Sequence, residues 1–100
     1  MSIVNEELAK AFLSEVVDEY TKARTKFPPM HSGHEGWAII KEELDEMWEA
    51  VRMQLEALDE KGRTRPQAMQ EEITQVAAMA VAFYCEVCKP AFSKGRRSDG

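Results

Sequence analysis

The sequence predicts an all-α fold of three helices, and three observations carry that prediction. Apolar residues recur every three or four positions through three long stretches. The breaks fall at "FPPMHSGHEG" and "KGRT", where helix-breaking residues gather. Six methionines stand against five glycines and four prolines in 100 residues, with 44% hydrophobic, a balance that favours helix.

Residues 4–26 read as the first helix, with a stripe of Leu8, Phe12, Val16, Tyr20, Ala23 and Phe27. Pro28 and Pro29 end it, because the residue before a proline is pushed out of the α region. Ser32 and Glu35 then form the S-x-x-E pattern of a capping box, which starts a second helix over 33–60. Its stripe is Trp37, Ile40, Leu44, Met47, Val51, Leu55 and Leu58, a 3-4 alternation suited to bundle packing. Gly62 serves as its C-cap. Thr64 and Gln67 make a second capping box, with Pro66 tolerated in the first turn of a third helix over 65–88. Ile73, Val76, Ala77, Ala80, Phe83, Tyr84 and Val87 are expected to face inward, until Pro90 stops the helix.

The short 61–64 connection predicts that the second and third helices form an antiparallel helical hairpin, with the N-terminal helix packed across it. Three wide apolar faces are more than one small chain covers. A homodimer is therefore expected to complete a four-helix-bundle core, or a tetramer to extend it. Residues 1–90 form one helical domain, and residues 91–100 read as a mobile basic tail.

Charge narrows the function classes. Net charge is −5, split as −8 over residues 1–60 and +3 over 61–100. An acidic body repels a phosphate backbone, so no nucleic-acid partner is expected. Divalent cations, and anions carried by them, fit better. No apolar run approaches the roughly 20 residues that span a bilayer, so no membrane association is expected. "MSIVNEELAK" lacks the marks of a signal peptide, which makes a cytoplasmic protein with reduced thiols the expectation.

The chemistry concentrates in "KEELDEMWEAV" and "EEITQVAAMA". Glu43 and Glu46 are i, i+3 neighbours, so their carboxylates converge on one helix face. Glu72 and Gln75 have the same spacing on the third helix. In an antiparallel pair the register that sets Glu46 opposite Glu72 also sets Glu43 opposite Gln75. Three carboxylates and one amide oxygen then meet, an all-oxygen set suited to Mg²⁺ or Mn²⁺. The plainer reading is chance, since acidic helices carry many E-x-x-E spacings as solvated faces.

Those same segments resemble the MazG-like, all-α nucleoside triphosphate pyrophosphohydrolases. That family carries E-x-x-E on one helix and E-x-x-D on the next. "EELDE" is similar to the first half through Glu43 and Glu46, and "EEITQVAAMAVAFY" to the second through Glu72. "HEGWAIIKEELDEMWEAV" and "QVAAMA" resemble a small, mostly uncharacterised branch in bacteria and their phages, and the likeness spans roughly residues 31–88. It implies a homodimeric or tetrameric bundle binding Mg²⁺ between two helices. It also implies cleavage of a nucleoside triphosphate to monophosphate and pyrophosphate. Glu43, Glu46 and Glu72 match metal ligands, and Gln75 stands where the family has Asp. The departure leaves two readings: a hydrolase with a neutral fourth ligand, or a nucleotide-binding or structural dimer that has lost catalysis.

The remaining candidates are weighed against plainer roles. Glu42 and Glu49 flank the pair, as carboxylates behind the metal ligands or as the catalytic base for the water. His34, near the N-terminus of the second helix, could touch a phosphate or base, although capping is the plainer role. Lys41 and Arg52 could reach phosphates, although solvation is the plainer role. Trp37 is assigned to the core and Trp48 to the dimer partner. His31, His34, Cys85 and Cys88 carry the residue types of a Zn²⁺ site. The preferred reading of the cysteines is two small buried thiols.

Overall fold

A computed structural model of the chain describes residues 4–89. Helix α1 runs over Glu6–Lys26, α2 over Gly33–Val51 and α3 over Arg65–Phe83; a π-helical turn, Tyr84–Cys88, continues α3. The described residues contain no strand. The expected tail at 91–100 and the stop at Pro90 lie outside them.

Each helix begins at a side-chain cap. Asn5 accepts from Leu8 N–H, and Ser32 accepts from Glu35 N–H. Thr64 and Gln67 complete a reciprocal capping box. The boundaries of α1 and the start of α3 follow the sequence pattern. The end of α2 does not: the helix stops at Val51 rather than near residue 60, and the connection to α3 covers residues 52–64 rather than 61–64. Leu55 and Leu58, expected in the core stripe, are exposed. The pairing of the helices supplies a reason. Gly36 lies against the Phe83 ring, and the Arg65 Nε–H donates to the Val51 carbonyl at 2.9 Å. These contacts place α2 and α3 antiparallel, with the start of α3 level with the end of α2. Any helix beyond residue 53 would have no α3 to pack against, so good local propensity in "MQLEALDE" goes unused.

The core is thin. Val16, Ala23, Met30, Ala78, Met79 and Ala82 form it, with Phe12, Tyr20, Ile39 and Phe83 packed at its edge. Small residues on α3 let α1 come close, so α1 lies chiefly on α3. The Glu86 carboxylate in the π-helical turn pins the chain between α1 and α2. It accepts the Met30 N–H at 2.9 Å and the Tyr20 hydroxyl at 3.4 Å, and pairs with Arg24 at 3.0 Å.

The inward face of α3 is also turned relative to the sequence expectation. Ala68, Glu72, Ala78, Met79 and Ala82 are buried, while Ile73, Ala80 and Tyr84 are exposed. On α2, Trp37 is exposed, as are Leu44 and Trp48; Leu8 on α1 and Phe27 just after it are exposed. These apolar residues of α2 and α3 sit about 100° round their helices from the lines Gly36–Glu43–Ala50 and Glu72–Met79. The hairpin therefore shows one apolar face away from α1. Cys85 is exposed and Cys88 half-buried, correcting the expectation of two buried thiols. A π-helical turn carries more residues per turn than an α-helix, so the helix face is redistributed there.

Candidate metal centre

Glu43 and Glu46 stand one turn apart on α2, and Glu72 faces them from α3. One carboxylate oxygen from each lies within 4.8 Å of the other two, and no other such acidic, histidine or cysteine group exists among the described residues. His31, His34, Cys85 and Cys88 thus form no cluster. Glu72 is 5% exposed, the one buried charged residue among those described. Its Oε1 is buried with no hydrogen-bond partner. A carboxylate can only accept, and the two residues clustered with it are carboxylates as well. Such an oxygen needs a cation or a shared proton.

The electrostatics agree with crowding. Burial first, then the Glu46 and Glu72 charges, pushes Glu43 up to about 7. Glu46 is raised too, by burial of its carboxyl and then by Glu72, close enough to share a proton with it. Glu46 is an exposed residue overall, but its carboxyl is turned to the cluster. Three hard oxygen donors in a crowded acidic spot fit Mg²⁺ or Mn²⁺ by charge and donor type.

The cluster lies in a cleft of about 550 Å³ between the end of α1, the 27–30 segment, α2 and α3. Gln75 and Glu42 line it; Glu49, His34, Lys41 and Arg52 do not. Lys41 pairs with Asp45 at 3.0 Å, and Arg52 with Glu49 at 3.5 Å, both on the surface. The cations that do line the cleft include Lys61 and Arg63, which the sequence reading did not single out.

Arg63 reaches the cluster because Asp59 builds a turn under it. Asp59 Oδ1 accepts from Lys61 N–H at 2.9 Å and from Arg63 N–H at 2.8 Å. Gly62 takes a φ of +77°, a region open to glycine at little cost, and its N–H donates to the Asp59 carbonyl. The bonds to its carboxylate, that of Arg63 N–H first, then those of the Arg63 guanidinium and Lys61 N–H, hold the Asp59 carboxyl below its usual range. The guanidinium then uses every nitrogen. Nε pairs with Asp59 at 2.8 Å, Nη1 with Glu71 at 2.8 Å and Nη2 with Glu72 Oε2 at 3.1 Å. The sequence signal for this was D-x-x-G-R, an Asx turn closed by a left-handed glycine. It was obscured by the helical pattern running through it.

None of the protein-family models, curated proteins or solved structures compared with the chain matches it. No helix among the described residues is long and apolar enough to cross a membrane.

Proposed function

We propose that this protein is a Mg²⁺-dependent nucleoside triphosphate pyrophosphohydrolase of MazG-like type, working as a homodimer. One observation carries the reading: three carboxylates from two helices converge in a cleft, and one of them keeps a buried oxygen without a donor. Glu43, Glu46 and Glu72 would hold Mg²⁺ or Mn²⁺, with Gln75 as a neutral fourth ligand or substrate contact. A divalent cation there supplies positive charge to phosphate oxygens and Lewis acidity.

The chain's own groups divide the remaining work. Glu42 lines the cleft and accepts the proton of the attacking water. The water oxygen bonds to the α-phosphorus, the bond from it to the α–β bridging oxygen breaks, and pyrophosphate leaves with that oxygen. Lys61 and Arg63 offset the charge of the phosphates. Phe27, Pro29 and Met30 line the same cleft and offer an apolar wall to a base. For the dimer, the support is the exposed apolar face of Trp37, Leu44 and Trp48 with Ile73, Ala80 and Tyr84, which a second chain would cover. Sedimentation equilibrium at the mass of a single chain would remove that part.

The direct test is pyrophosphate release from a panel of (d)NTPs with Mg²⁺ or Mn²⁺. Turnover is expected in the wild type and a loss of at least ~100-fold in Glu46→Ala. The second reading, binding without turnover, is favoured by Gln75, which brings no charge to the site. Tight nucleotide binding with no pyrophosphate from any substrate would establish it; neither binding nor turnover leaves a structural dimer.

A further inference from the structure

We propose that Arg63 is the resident counter-ion of the carboxylate cluster, giving up Glu72 to an arriving divalent cation and turning to the phosphates that accompany it. The inference rests on the metal-centre reading above and deepens it. Four observations point the same way.

The first is placement. Arg63 Nη2 lies 3.1 Å from Glu72 Oε2, and Glu72 is the carboxylate whose other oxygen has no donor. One carboxyl thus shows both what it does when a cation is present, at Oε2, and what it lacks, at Oε1. The second is burial. The Arg63 side chain is 15% exposed and that of Glu72 6%, so water screens their pairing little.

The third is asymmetry among the bonds. The contact to Glu72 is the longest of the three that the guanidinium makes. Asp59 and Glu71 hold the other nitrogens, and neither belongs to the cluster. Arg63 can release Glu72 without leaving the cleft or losing its anchors. The fourth is construction. Three backbone N–H bonds to Asp59 shape the turn, two at Oδ1 and one at the carbonyl, and the arginine side chain adds a single bond to Oδ2. Arg63 is a charged group mounted on a support that backbone bonds build in the main. A planar fork that binds carboxylate oxygens binds phosphate oxygens in the same geometry.

Two charges then compete for one carboxylate, and the exchange is reciprocal. A fixed positive charge weakens the approach of a divalent cation. Once the cation neutralises Glu72, the freed Nη2 meets an anion whose charge the cluster alone would repel. Arg63 thereby couples metal entry to phosphate entry.

The test uses the full-length chain and two probes with no turnover. Mn²⁺ affinity is measured by calorimetry for the wild type, Arg63→Gln and Arg63→Met, the last keeping the aliphatic stem. Circular dichroism melts without metal verify folding. Both variants should bind Mn²⁺ alone about fivefold tighter or more, and inorganic tripolyphosphate in saturating Mn²⁺ about fivefold weaker or more. Opposite signs for the two probes are the signature. A structural arginine weakens both, and a spectator changes neither. Equal or weaker Mn²⁺ binding in the variants overturns the inference, as does unchanged tripolyphosphate binding. If the wild type itself binds no Mn²⁺, the metal-centre reading fails with it. If the wild type binds Mn²⁺ and the variants bind it equally, only the role of Arg63 fails.

Discussion

Glu72 and Glu86 lie fourteen residues apart on one continuous helical path, and each pairs with a largely covered arginine. Their remaining bonds differ. Glu86 is filled: one oxygen takes the Met30 N–H and the other takes Tyr20 and Arg24. Glu72 is half-filled: Arg63 meets one oxygen, and the other is buried with no donor beside two further carboxylates. A satisfied, partly buried carboxylate ties elements together. An unsatisfied one costs stability unless something binds it. The contrast separates a structural acid from a candidate site acid without reference to any relative.

The largest effects should come from neutralising the two acids in turn. Glu72→Gln should weaken Mn²⁺ binding about 100-fold, equal to ~2.7 kcal/mol. It should leave metal-free stability within ~1 kcal/mol, because it also removes like-charge repulsion. Glu86→Gln should do the reverse. Metal affinity is unchanged, while about 2 kcal/mol of unfolding free energy is lost as Arg24 loses its charge partner. Calorimetry and urea unfolding on both variants check the pair; similar profiles from the two would erase the distinction.

A tenfold effect, ~1.4 kcal/mol, is expected from Gln75→Asp, which should tighten Mg²⁺ by adding a fourth charge. Unchanged affinity by calorimetry would place Gln75 outside the ligand set.

The smallest effect concerns pH. Glu43 is raised to about 7 in the folded protein, from an ordinary value near 4.5. A raised folded pKa adds stability that is complete below the ordinary value and lost as pH rises through about 7. The metal-free protein should therefore melt lower at pH 8 than at pH 5. Water at the cleft mouth should limit the loss to about 1 kcal/mol. Mg²⁺ should recover it at pH 8 and do little at pH 5, where protons compete. Melts in chelator and in Mg²⁺ at both values test this; a rising melting temperature with pH in chelator contradicts it.

Much of the carboxylate arrangement was legible. Helical spacing sets Glu43 beside Glu46, and antiparallel pairing brings Glu72 level with them. The burial of Glu72 was not legible. A glutamate on an amphipathic helix reads as an edge residue, whereas here α3 turns that edge inward and leaves Ile73, Ala80 and Tyr84 outside. Periodicity shows that a face is apolar, but not whether it meets its own chain or water. Arg63 was hidden for a different reason. "MQLEALDE" favours helix locally, so residues 52–60 read as an extension of α2, Asp59 fell inside that helix, and the 61–64 connection read as a plain turn rather than as the support of a cleft residue.

The sequence by itself determined the three helices, the caps that open α2 and α3, the break at Pro28 and Pro29, and the antiparallel pairing that brings Glu72 level with Glu43 and Glu46. Each of these depends on neighbours a few residues apart or on one constant of antiparallel pairing. Only the tertiary structure decided where α2 stops, which face of α3 is buried, and that an arginine from the connection fills half of Glu72. Those outcomes depend on what packs against what. A helix continues only while it has a partner to cover its apolar side, and a buried charge is held only where a distant segment delivers its opposite.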